Sequence, residues 1–192
     1  MKVSESKRTQ LAEKPFAVLF DADNTLFDYD APHANASAAV LKQVNRELGI
    51  EAKSFTYALE HARKTLKDRL GPVASSHNRL LYYQGALEKL GLKSRLAAAL
   101  SLERRYWQTF MTHAELFPGA RDFLDGVRAT GVVTCLVTDL TAQIQFRKMI
   151  FFGLEQSFDF VVTSEEAGRD KPNREPFELT REKLSLPDDV SI

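Results

Sequence analysis

Phe16-Ala-Val-Leu-Phe20, followed at once by Asp21-Ala-Asp-Asn-Thr25, is the stretch on which the fold turns. The first five residues are apolar without alternation. A strand with one face in water would alternate, so the unbroken run predicts a short parallel strand covered on both faces. It stops abruptly in a polar turn. In open α/β sheets ligands sit outside the carboxyl ends of the strands. Two carboxylates, Asp21 and Asp23, therefore fall where chemistry is expected.

Outward from this stretch the pattern changes. From about Ala31 to His113 the chain reads as successive helices. These are Ala34–Leu48, stopped by Gly49; Ser54–Leu70, capped by Ser54 and closed by Gly71-Pro72; Asn78–Leu90, stopped by Gly91; and Ser94–Met111. No strand is expected in this block. Beyond it, helix and strand alternate: helix Ala120–Ala129, strand Val132–Val137, helix Thr141–Phe152, strand Phe158–Thr163, helix Glu175–Leu184, then a turn at Pro187 and a fourth strand starting at Val190-Ser191-Ile192. That alternation predicts an α/β fold with a Rossmann-like parallel sheet, into which an all-helical block is inserted. The expected division is a flexible N-terminal tail over 1–14, a core made of 15–29 and 115–192, and a helical cap over 30–114. Phe27, Asp28 and Tyr29 form the first hinge into the cap, and His113–Phe117 the second.

Composition narrows the function classes. The 192 residues carry 26 Lys plus Arg and 26 Asp plus Glu, so the net charge is zero and gives no reason to expect a nucleic-acid partner. Hydrophobic residues make up 44% and charged residues 27%, which suits a soluble globular protein. Cys135 is the single cysteine; it excludes an intrachain disulfide and reads as a small buried filler. Met1–Lys14 lacks the apolar centre of a signal peptide, and no stretch approaches the roughly 20 apolar residues of a membrane span. The expectation is a cytoplasmic protein with no membrane partner, a monomer or homodimer, acting on a small molecule.

The polar residues at the strand ends suggest what that action is. A carboxylate such as Asp21 can attack phosphorus and split one hard displacement into two easier ones. A second carboxylate, Asp23, can give a proton to the leaving oxygen and later take one from water. Two carboxylates at close quarters repel, so a divalent cation such as Mg²⁺, which prefers hard oxygen ligands, is a natural third member. Thr138 and Asp139 follow the second strand, and Ser164, Glu165 and Glu166 the third, with Lys171 a few residues on. Each has a plainer reading when taken alone. Asp-Ala-Asp-Asn reads equally as a polar turn with a helix cap, Thr138 or Thr141 as a cap, and Lys171 as an exposed loop lysine. Three strand ends directing polar groups at one crevice is the stronger signal.

Phe20-Asp-Ala-Asp-Asn-Thr-Leu-Phe27 resembles the first motif of the haloacid dehalogenase superfamily, Asp-x-Asp-x-Thr. Leu136-Val-Thr-Asp139 is similar to its second, and Ser164-Glu-Glu-Ala-Gly-Arg-Asp-Lys-Pro-Asn173 to its third, where a lysine precedes proline. Leu116-Phe-Pro-Gly-Ala120 is similar to the return from a helical cap of the C1 type. The resemblance covers nearly all of Phe16–Ile192 and is nearest to the branch of pyrimidine 5′-nucleotidases and phosphoglycolate-type phosphatases. It implies a Mg²⁺-dependent phosphomonoester hydrolase working through an aspartyl phosphate. Asp21 would be the nucleophile and a Mg²⁺ ligand. Asp23 would be the general acid/base and lend its backbone carbonyl to the metal. Thr138, with Asp139 beside it, would bind the phosphoryl group, and Lys171 would stabilise both Asp21 and the phosphate.

Three departures from the pattern matter. Asn24 stands where glycine is common and should tolerate a left-handed backbone. Asp139 stands where asparagine is common, and its charge should weaken phosphate binding unless it points away. The family's fourth motif, a strand followed by Gly-Asp and a further acid, is not reached before Ile192, which reads as a truncation. Two rival functions follow: a catalytically impaired, non-enzymatic form, and a 2-haloacid dehalogenase. Asp23 argues against the second, because a departing halide needs no proton. The four histidines, His33, His61, His77 and His113, show no metal-ligand spacing. Tyr82, Tyr83, Tyr106 and Trp107 read as helix packing.

Overall fold

The computed structural model describes residues 15–186. The expected N-terminal tail and the strand expected at Val190–Ile192 lie outside the described residues. Three strands form one parallel sheet in the order β1 (Ala17–Phe20), β2 (Val133–Thr138), β3 (Phe160–Thr163). Leu19 stands opposite Cys135 and Thr138 opposite Thr163. This register brings the carboxyl ends of all three strands out along one edge, so the polar residues that follow them share a crevice.

Between β1 and β2 run α1 (Asp30–Leu48), α2 (Ala52–Leu70), a short 3₁₀ turn (Ala74–His77), α3 (Arg79–Lys89), α4 (Leu96–His113) and α5 (Ala120–Ala129). After β2 come α6 (Ala142–Phe151), then β3, α7 (Ser164–Ala167) and α8 (Glu175–Lys183). Local chemistry explains most boundaries. α1 starts earlier than Ala34, since Asp28 Oδ1 accepts from the Asp30 N–H at 3.0 Å and Pro32 is tolerated in a first turn. Ser54 does not cap α2. The cap position is Glu51, in extended backbone, with no side-chain cap bond. Asn78 does cap α3, its Oδ1 accepting from Leu80 N at 2.9 Å and Leu81 N at 3.4 Å. The 3₁₀ turn and α7 carry no sequence period long enough to announce them.

One hydrophobic cluster joins the layers, running from Phe20 and Leu136 at the sheet through Phe27 and Phe110 to Tyr83 and Phe55 among the helices. Phe27 is fully buried, with its ring 6.3 Å from Phe110 and 4.9 Å from Phe152. The two crossings between layers lie side by side: Phe27 bridges Leu116, and Phe117 N donates to Leu26 O at 2.9 Å. On the other sheet face Cys135, Val137 and Val162 form a small second cluster with Leu179 of α8. Burial there pushes the Cys135 thiol up to about 11. Leu136, wholly buried in the middle strand, is the test of this core. Leu136→Ala is expected to lose about 2–5 kcal/mol, the transfer term plus the cavity left behind. Urea unfolding reads this as a lower midpoint with an unchanged slope. A loss under about 1 kcal/mol would contradict the packing described.

Candidate active site

The turn after β1 shapes the site. Thr25 N and Leu26 N both donate to Ala22 O, at 3.2 and 2.9 Å, and fold the chain back. Asn24 takes φ 59°, the left-handed conformation expected of it, and its Oδ1 accepts from Tyr29 N at 2.8 Å. Asp21 and Asp23 leave this turn toward different partners.

Asp21 Oδ1 lies 2.6 Å from Lys171 Nζ, and Oδ2 accepts from Thr25 Oγ1 at 3.2 Å. The Asp21 side chain is 40% exposed. Lys171 Nζ is also held by Val137 O at 2.8 Å, which aims it along the end of β2. Asp139 Oδ1 accepts from the Lys171 backbone N–H at 2.9 Å. Asp139 therefore serves as the clamp that brings the Lys171 loop to the strand ends. Burial pushes its carboxyl up, against the opposing effects of the Lys171 N–H and charge.

Asp23 has a second, separate cation. Lys148 Nζ stands 2.5 Å from Asp23 Oδ1, and Gln145 Nε2 donates to Asp23 Oδ2 at 3.0 Å. Lys148 is 1% exposed, and its ammonium sits 5.4–5.6 Å from the ring centroids of Phe27, Tyr29, Trp107 and Phe110. Burial lowers its pKa, and Asp23 opposes the shift. The buried Gln145 amide also meets Thr138 Oγ1 at 2.8 Å and Asp139 O at 2.6 Å, while its Oε1 has no partner among the described residues. One side chain thus ties the second strand end to Asp23.

Of the residues singled out from sequence, Asp21 meets Lys171 directly, Lys171 meets Asp139, and Thr138 reaches Asp23 through Gln145. Lys148 and Gln145 were not singled out. Their signal was present, since α6 buries Ile144, Gln145, Lys148 and Met149 at helical spacing, and two of those four are polar. Thr141 occupies the cap position of α6 but makes no side-chain cap bond; Glu165 Oε2 accepts from Ala142 N at 2.9 Å in its place. His33 bonds Tyr106 at 2.6 Å and stacks on Tyr29, within the helical layer. His77 bonds Asp170 at 3.1 Å, beside Lys171.

A divalent cation fits only as a shared ion. Among the described residues no three His, Cys, Asp or Glu side chains converge on a metal position. Both Asp23 carboxylate oxygens are already engaged, whereas Asp21 Oδ2 is held by one hydroxyl and lies on an exposed side chain. Mg²⁺ is commonly held by one or two carboxylates, water and a substrate phosphate, and Asp21 can supply such a carboxylate.

The chain is similar to known proteins in sequence and in fold. The chain is 36% identical over 170 residues to the ribulose-1,5-bisphosphate 5-phosphatase of Halopiger xanaduensis, covering 88% of this chain and 71% of that protein. It is 26% identical over 178 residues to the glyceraldehyde 3-phosphate phosphatase of Methanothermobacter thermautotrophicus, covering 92% and 74%. The 2-haloacid dehalogenase from Pseudomonas syringae superposes with a TM-score of 0.63 at 21% identity, over 88% of this chain and 72% of that one. The HAD phosphatase from Thermococcus onnurineus gives 0.60 at 23%, over 88% and 72%. These two structures share the fold. No described helix is long and apolar enough to cross a membrane. Residues 17–190 match the haloacid dehalogenase-like hydrolases, and with that match and the 36% relative the chain belongs to that family and is an enzyme of its phosphatase kind.

Proposed function

We propose that this protein hydrolyses a small sugar phosphate, in a Mg²⁺-dependent reaction, through an aspartyl phosphate formed on Asp21. The observation that carries the reading is the separation of the two carboxylates. Asp21 is exposed and paired with Lys171, while Asp23, two residues on, is held by the buried Lys148 and by Gln145. Two carboxylates in different surroundings can take different roles.

In the first step a carboxylate oxygen of Asp21 bonds to phosphorus while the ester P–O bond breaks, and Asp23 gives its proton to the leaving alkoxide. In the second, water attacks the same phosphorus, Asp23 takes the proton, and the bond to Asp21 breaks to release phosphate. Lys171 offsets the negative charge of Asp21 and the transferring group, and in this reading Thr138, at the end of β2, binds a phosphoryl oxygen. Mg²⁺ on Asp21 would supply further neutralisation of phosphoryl charge when bound. In this reading residues 30–114 act as a cap over the strand ends, excluding water from the crevice. The sugar-phosphate class is supported by the two relatives above, whose names give phosphorylated sugars as substrates.

The test is hydrolysis of p-nitrophenyl phosphate with Mg²⁺, after chelation, and after Mg²⁺ is restored. Chelation is expected to lower the rate by about 100-fold or more, reversibly. A folded protein that turns over nothing with Mg²⁺, or works equally well in chelator, would rule the reading out.

A further inference from the structure

A cavity of about 590 Å³ lies between the helices and the strand ends. Arg79, Arg104 and Trp107 line one wall; Leu140, Thr141 and Arg147 line the other. Three arginines thus line one space, and among the described residues none forms an ion pair. Arginine stays charged at any ordinary pH. Arg79 is the most telling. It is partly buried, its Nη2 donates to the Tyr29 and Tyr106 hydroxyls and its Nη1 to the His77 carbonyl, and its Nε is buried without a partner among the described residues. Its guanidinium lies 4.7 Å from the Tyr106 ring centroid. Stacking on aromatic rings explains part of why that cation is tolerated there. It does not account for Arg104 and Arg147, which are exposed on opposite walls.

The one acidic side chain lining the cavity is Glu103. Burial pushes its carboxyl up, against the pull of Arg147 and Arg104. One carboxylate against three guanidinium groups leaves the cavity positive, and α3 begins at Arg79, so its positive end adds to the same wall.

The cavity adjoins the candidate active site. Trp107 stands between the two centres, its ring centroid 5.7 Å from the Arg79 guanidinium and 5.6 Å from Lys148 Nζ. Leu140 and Ile144 of the far wall are the chain neighbours of Asp139 and Gln145. His77, also on the lining, is bonded to Asp170 next to Lys171.

We infer that this cavity receives a second phosphate of the substrate, gripped by Arg79, Arg104 and Arg147, so that the preferred substrate is a short-chain sugar bisphosphate. Guanidinium forks match phosphate oxygens in pairs, and three of them on two walls would clamp such a group when the walls approach. The inference rests on the reading that the first phosphate is attacked at Asp21.

Binding tests it apart from turnover. Asp21→Asn protein with Mg²⁺ is titrated calorimetrically with ribulose 1,5-bisphosphate and with ribulose 5-phosphate, the same sugar lacking one phosphate. The bisphosphate is expected to bind about 10-fold tighter or better. Adding Arg104→Gln and Arg147→Gln, both at exposed positions that should not disturb folding, is expected to bring the two affinities within about 2-fold. Arg79→Met should do the same if it folds. Equal affinities in the parent, no binding of either sugar, or a preference that survives the paired substitution overturns the inference. Wild-type p-nitrophenyl phosphate hydrolysis, run alongside, separates the outcomes: hydrolysis with equal sugar affinities defeats the second-phosphate site alone, and its absence defeats the hydrolase reading.

Discussion

Asp21→Asn is expected to lower p-nitrophenyl phosphate hydrolysis by about 10⁴-fold or more while leaving the protein folded. The substitution keeps size and shape but replaces the attacking oxygen with an amide that cannot form the phosphoryl intermediate. Its structural cost should be small. Asp21 is 40% exposed, its Lys171 partner is 22% exposed, and ion pairs so open to water contribute little to stability. Lys171 Nζ also keeps its bond to Val137 O. Unfolding is therefore expected to stay within about 1 kcal/mol of the parent. A second readout is direct: acid-quenched wild-type protein should carry substrate phosphorus covalently, and the variant should not. Wild-type rates from Asp21→Asn would mean that the nucleophile lies elsewhere.

Lys148→Met should produce the next largest effect, and one that depends on the leaving group. Lys148 holds Asp23 from below at 2.5 Å, and with it gone only Gln145 aims the carboxylate. If Asp23 protonates the leaving oxygen, a misaimed Asp23 harms esters with poor leaving groups most. A loss of about 100-fold is expected on a sugar phosphate, and a much smaller one on p-nitrophenyl phosphate, whose phenolate departs without help. Methionine fills the space of the lysine stem among Phe27, Trp107 and Phe110. The cost in stability is expected to be about 1–3 kcal/mol. That is below the figure for a fully buried broken pair, since Asp23 is 26% exposed and can be hydrated. Equal losses on the two substrates would show that Lys148 supports the fold without positioning Asp23.

Asp139 shows how a local reading is completed by distant contacts. Its charge was expected to hinder phosphate binding unless it pointed away, and it is spent on the Lys171 backbone N–H instead. Ser54 was a reasonable cap by residue type, yet α2 begins two residues earlier because the turn after Gly49 already delivers the chain in extended form at Glu51. Lys148 escaped notice for a general reason. Lysine is almost never fully buried, so the rule that assigns it to the surface discards the uncommon lysine held by a carboxylate inside.

Consecutive residues by themselves determined the parallel sheet, the run of helices between its first two strands, and the strand ends at which Asp21, Asp23, Thr138 and Asp139 emerge. Period, burial run and turn chemistry are properties of neighbours along the chain. The family resemblance already paired Lys171 with Asp21, while tertiary structure alone decided that Lys148 meets Asp23. Lys171 reaches Asp21 across 150 residues and Lys148 reaches Asp23 across 125. Such pairings depend on strand register and on how helices pack over the sheet, and no local pattern carries either.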